Sequence, residues 1–157
     1  MSGPTTKQYL NHWLRGSAEA LSIMRTLKSK KNYTFALFFG HLAIEKLLKA
    51  VCVVRQVPVP TTGVRGHDLP YIANQCGLQL TQQQLLELTT IKAFNIEGRY
   101  DDYKQRFHAM CTSQYTATWT AIIAEWCNKL RIIIRNEKSN LPNRNYLFTE
   151  SQSGKIP

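Results

Sequence analysis

Acidic side chains are in short supply in this 157-residue chain: 10 Asp and Glu stand against 20 Lys and Arg, leaving a formal charge of +10. That excess favours anionic partners, whether nucleic acid, nucleotide, acidic protein or an anionic membrane surface. It is uneven, with 10 basic and 3 acidic residues over 1–78 but 10 and 7 over 79–157. Long apolar runs are missing too. Stretches such as 35–39 and 132–134 fall far short of the ~20 residues that span a bilayer. The N-terminus has neither the basic nor the apolar region of a signal peptide. A cytoplasmic protein with no membrane segment is the expectation. Cys52, Cys76, Cys111 and Cys127 form no C-x-x-C pair, which argues against a zinc knuckle and for reduced, buried thiols.

What is present suffices for one core. Hydrophobic residues make up 43% of a chain of ordinary single-domain length, and their spacing is helical almost throughout. Leu10, Trp13, Leu14, Ser17, Leu21 and Met24 predict a helix over about 7–28. Over 33–56 the apolar positions, among them Phe35, Phe38, Phe39, Leu42, Leu47 and Val51, cover most of the circumference, as expected of a helix at the centre of a bundle. On that rod His41, Glu45 and Lys49 recur every fourth residue and form one polar stripe. Pro58, Pro60, Gly63 and Gly66 then break the chain. Asp68 is placed to cap a short third helix that tolerates Pro70 in its first turn. Thr81 and Gln84 have capping-box spacing and open a fourth helix, whose apolar positions Leu85, Leu88, Ile91 and Phe94 run on toward Gly98. A last helix carries Tyr115, Trp119, Ile123, Trp126, Leu130 and Ile134 on one stripe, and periodicity stops at Ser139. The expected fold is all-α: an up-and-down bundle of four main helices plus a short one over 1–138, with a flexible tail over 139–157.

The sequence contains no P-loop, no G-x-G-x-x-G, no H-E-x-x-H and no G-x-S-x-G, and nothing in it implies a cofactor or a metal. Two polar clusters remain: the His41/Glu45/Lys49 stripe, and the run Asn95-Ile96-Glu97-Gly98-Arg99-Tyr100-Asp101-Asp102-Tyr103.

These residues carry a resemblance. The helix from Phe35 through His41, Ala43, Glu45, Leu48 and Lys49 to Ala50 is similar to the aromatic-rich core signature of the HEPN domain family. His67-Asp68-Leu69 resembles that family's H-D-L, and Arg99-Tyr100-Asp101-Asp102 its R-Y-P-D, in the same order. The resemblance spans about residues 9–135. It implies a helical bundle, often a homodimer, in a family that handles nucleotides or RNA; many members are toxin-type endoribonucleases, and many are encoded beside a small nucleotidyltransferase in a toxin–antitoxin setting. Catalytic members use Arg, four to six residues, then His. Here the chain departs from the pattern: eight residues separate Arg99 from His108, and Arg65 and His67 are too close. Metal-independent RNA cleavage needs a group that moves the 2′-hydroxyl proton and a cation for the phosphorane, roles that suit His and Arg.

The resemblance therefore implies a nucleotide- or RNA-binding domain in which Arg99 and Lys49 contact phosphate, Glu45 orients Lys49, Tyr100 packs or stacks beside the ligand, and His41 and Asp102 complete the set. An endoribonuclease using a displaced Arg99/His108 pair and a non-catalytic interaction module are the alternatives. Each residue also has a structural reading. Glu45 and Lys49 are ordered for a helix ion pair, and Arg99 can bridge to Asp101 or Asp102 within its loop. His67 and Asp68 can cap the third helix, and Tyr100 and Tyr103 can simply pack.

Overall fold

In the computed structural model, which describes residues 3–147, the chain forms six α-helices: α1 (Thr6–Ser29), α2 (Tyr33–Val54), α3 (Leu69–Gln75), α4 (Gln82–Lys92), α5 (Asp101–Met110) and α6 (Ser113–Glu137). Their starts follow from local chemistry. Thr5 and Thr81 each close a capping box with the Gln three residues on, while Asp68 and Thr112 accept from Tyr71 N and Tyr115 N.

The all-helical bundle expected from the periodicity is what forms, and α2 is its axis. From Gly40 to Val54 only Leu42 and Lys46 escape full burial. Helix α2 packs most extensively on α1 and then on α6. The short turn after Ser29 makes α1 antiparallel to α2. Arg55, at the C-cap of α2, binds Glu137 at the end of α6 at 3.1 Å, so α2 and α6 end at the same pole. Gly40 is where α1, α2 and α6 meet most closely, since a Cβ there would lie 2.6 Å from Ile123 Cδ1 and 2.9 Å from Met24 Sδ.

Three details differ from the sequence-based expectation. Helix α4 stops at Lys92 rather than running toward Gly98, because Phe94 turns into the core against Phe107 and Trp119 and the chain leaves the helix with it. Gly98, at φ 73°, serves the following turn. A separate helix, α5, then precedes α6; it buries only Phe107, too little apolar material for a periodic signal. Finally, the tail expected to be loose from Ser139 is docked as far as the description extends. Thr6 N donates to Arg144 O at 2.9 Å, Tyr146 N donates to Pro4 O at 3.1 Å, and the Tyr146 ring is buried with its hydroxyl donating to Val57 O. Residues 148–157 of the expected tail lie outside the described residues. All four cysteines are free and buried. Among the described residues no helix is long and apolar enough to cross a membrane.

Candidate functional site

The polar stripe on α2 is real and it is buried. His41 is wholly inaccessible, and Glu45 and Lys49 are 4% and 3% exposed. Charges this deep must be paired. Lys49 Nζ donates to Glu45 Oε2 at 3.2 Å and lies 5.1 Å from the centre of the Trp13 ring on α1. The other carboxylate oxygen, Oε1, accepts from His67 Nδ1 at 2.7 Å. His41 lies 3.9 Å from the same oxygen, yet its Nε2 donates instead to the His67 backbone carbonyl at 3.3 Å. Burial lowers the His41 pKa from its ordinary 6.5, against the upward pull of Glu45. Its Nδ1 is buried without a partner among the described residues.

His67 arrives from the break after α2. A 3-10 turn over Val64–His67 leads into Asp68, whose side chain caps α3. Gly66 permits this path, since a Cβ there would sit 2.9 Å from the Thr61 backbone carbon. The sequence reading gave capping to His67 and Asp68 together. The structure separates them: Asp68 caps α3 and takes Lys92 Nζ at 2.8 Å, while the His67 ring turns back onto α2.

Beyond His67 the surface opens into a groove of about 610 Å3 lined by Gly63, Val64, His67, Lys92, Asn95, Glu97, Gly98 and Arg99. Arg99 lies exposed on its lip, with its guanidinium 4.6 Å above the Tyr103 ring and Nε donating to Asn95 O at 3.4 Å. Neither Nη atom takes part in a hydrogen bond among the described residues. Arg99 therefore makes no ion pair with Asp101 or Asp102; Asp102 instead faces Arg106 at 3.9 Å in open solvent. Tyr100, 86% exposed, is the N-cap residue of α5 next to Arg99.

Of the residues singled out from the sequence, His41, Glu45 and Lys49 gather into one buried cluster, and Arg99 joins them only through His67. Lys49, enclosed by Glu45 and Trp13, does not reach the groove. His108 is elsewhere: its Nδ1 pairs with Thr34 Oγ1 at 2.9 Å in a separate recess of about 440 Å3, lined by Asn32, Thr34, Phe35, Ile96, Asp101, Lys104 and Gln105 besides. The turn between α4 and α5 divides that recess from the groove, so Arg99 and His108 do not share a site. His67 and Lys92 are the groove residues that sequence reasoning passed over. The H-D-L piece points to His67, but capping of α3 accounts for that motif equally well from the sequence alone. No metal site is formed among the described residues, because the imidazoles nearest Glu45 are turned to a carbonyl and to the carboxylate itself.

A family model for the HEPN domain matches residues 10–135, which includes the α2 stripe, the His67 turn and Arg99. The chain belongs to the HEPN domain family. Comparison with curated proteins and with solved structures gives no match. HEPN domains are a nucleotide- and RNA-associated family of helical domains.

Proposed function

We propose that this HEPN domain binds nucleotides or RNA through the groove between the Val64–His67 turn and the turn that carries Arg99. The observation behind this reading is that Arg99, His67 and Lys92 line one groove, with the Nη atoms of Arg99 uncommitted among the described residues and one carboxylate, Glu97, in the lining. A guanidinium held over an aromatic face is suited to paired hydrogen bonds with phosphate oxygens. Lys92 supplies a second cation, moderated by Asp68, and Tyr100 offers an exposed face on which a base can stack. Lys49 contributes indirectly, by holding Glu45. The proposal includes a homodimer and a nucleotidyltransferase partner, as the family's habits suggest.

Fluorescence anisotropy of a labelled oligoribonucleotide, titrated with salt, tests the binding. Affinity should fall as salt rises, and Arg99→Ala should weaken binding and flatten the log–log slope by about one. Absence of binding at low ionic strength sinks the reading. Sedimentation velocity tests the dimer separately, and a chain that stays monomeric over the accessible concentrations ends that part.

A further inference from the structure

Helix α5 has a single buried side chain, Phe107. One ring does not fill the wedge between α5 and the end of α4, and a cavity of about 470 Å3 remains there. That volume is within the ordinary range of small-molecule sites, ~300–1,000 Å3. Its walls are aromatic. Phe94 lies 5.5 Å from Phe107 and 6.2 Å from Tyr115, edge-on to the latter, and Tyr103 stacks on Phe107 at 6.4 Å. Met110, exposed at the end of α5, adds an adaptable thioether to the lining. Such walls offer water few partners, so an apolar ring gains by displacing it. The polar groups in the lining are few. Thr89 and Tyr103 donate to Leu85 O and Ala93 O, whereas the hydroxyls of Tyr115 and Thr90 have no hydrogen-bond partner among the described residues. Burial, with Cys111 and Tyr103 close by, raises the Tyr115 pKa from 10, so at neutral pH that hydroxyl is a donor. The lining carries one charge, Arg106, and no carboxylate. Arg106 approaches Asp102 only to 3.9 Å, with both side chains exposed. A pair so exposed contributes little, which leaves the guanidinium available to another acid.

We propose that this cavity is a binding site for a planar aromatic monocarboxylate. The ring enters among Phe94, Phe107 and Tyr115, where stacked and edge-on contacts are both on offer. The carboxylate stays on the solvent side and pairs with Arg106, replacing the loose contact to Asp102. The hydroxyls of Tyr115 and Thr90 are the donors left for its remaining lone pairs. A single guanidinium matches a single negative charge. A phosphate or a diacid would bring a second charge to a lining that has no cation for it. A saturated acid of the same skeleton fits less well, because it is thicker and forfeits the ring contacts. The cavity and the Arg99 groove have no lining residue in common, so this site is separate from the groove and does not depend on what the groove binds.

The probe is 2-naphthoate, titrated into the full chain and followed by calorimetry. Naphthalene-2-methanol serves as its neutral counterpart and decahydro-2-naphthoate as its saturated one. One saturable site is expected for naphthoate, with a Kd below about 1 mM, ordinary for a ligand of that size, and weaker binding for the other two. Arg106→Gln should weaken naphthoate about 5-fold, the upper end for an exposed pair, and leave the neutral alcohol unchanged. Ala93→Leu, which fills the cavity, should remove both ligands while the circular dichroism spectrum stays helical. Position is read in the wild-type chain, whatever the folding of that variant, from carbon-13 methionine methyl groups. The chain has three methionines, of which Met24 is buried between helices, and the naphthalene protons should give nuclear Overhauser contacts to the Met110 methyl. Absence of saturable naphthoate binding overturns the proposal, and so does binding that leaves Met110 untouched. Equal losses for naphthoate and the alcohol in Arg106→Gln remove the carboxylate from the assignment. Saturated acid binding as tightly as naphthoate removes the aromatic body, and either result overturns the ligand class.

Discussion

At Lys49 an ammonium 3% exposed is balanced by Glu45 on its own helix and by the face of Trp13 from α1. Removing it leaves a carboxylate that stays desolvated with only imidazole partners. Lys49→Met should therefore cost about 3–5 kcal/mol, read as a lower urea midpoint. Replacing both partners, Glu45→Leu with Lys49→Met, should recover much of that loss, because the pair's own desolvation cost disappears with it. Such a double variant folds without the group that orients His67, and so separates what the pair does for stability from what it does in the groove. His41 makes a second prediction at this scale. Its pKa is lowered in the fold from 6.5, mainly by burial. Below pH 6.5 the unfolded chain therefore binds a proton that the folded chain refuses, and stability drops as pH falls through that value. Glu45, His67 and Lys49 surround the ring, and Glu45 opposes the effect. Denaturant unfolding over this range should show a shallower slope for His41→Gln than for the wild type.

The elements that the sequence announces plainly are those with enough apolar side chains to set a period. Helices α1, α2 and α6 are long and each buries a continuous face, so their positions were legible to within a residue or two. The capping residues of α3 and α4 were legible for a different reason, the reach of a short polar side chain to a nearby N–H. What was not legible depends on contacts distant in sequence. Spacing of three through Ile91 and Phe94 reads as continued helix, and only the aromatic packing on α5 and α6 explains why the chain turns there. Likewise the α2 stripe was visible, but the partner of Glu45 was not, since His67 is 22 positions away and its ring orientation is set by the loop between. The segment after α6 is the clearest case. Its polar, proline-containing sequence lacks any period, yet Tyr146 inserts between Tyr9 and the end of α2, 4% exposed, with ring centres 4.9 Å apart at Tyr9. Tyr146→Ala should destabilise the fold by about 3 kcal/mol, the low end for a buried aromatic. A thermal midpoint unchanged by that substitution would show that the segment does not stay docked in solution.

Over the whole molecule, the charge of +10 resolves into places that differ in kind. One is the groove of His67, Lys92 and Arg99. Another lies where the two ends of the bundle sequence meet, a recess of about 630 Å3 with Lys7, Arg135 and Lys138 in its lining and no carboxylate there. The adjacent Glu137 is held by Arg55. The two regions are well separated along α2. His67 binds Glu45, whereas Arg55 marks the pole of the recess, ten residues on, or roughly 15 Å of helix. That exceeds the screening length of ~10 Å at 0.1 M salt, so cations in the recess act on a ligand in the groove only through a field that salt erases. A phosphate contact behaves differently, because it releases counterions and sets the slope of log affinity against log salt. A trinucleotide is too short to bridge both regions at once. For such a ligand, changing Lys7, Arg135 and Lys138 together to Gln should lower affinity only at low ionic strength and leave the slope above ~0.1 M salt as it was. Arg99→Ala should reduce the slope by about one. The opposite pattern, with the slope falling in the triple variant and holding in Arg99→Ala, would place the phosphate at the far pole and detach the HEPN motif residues from ligand contact.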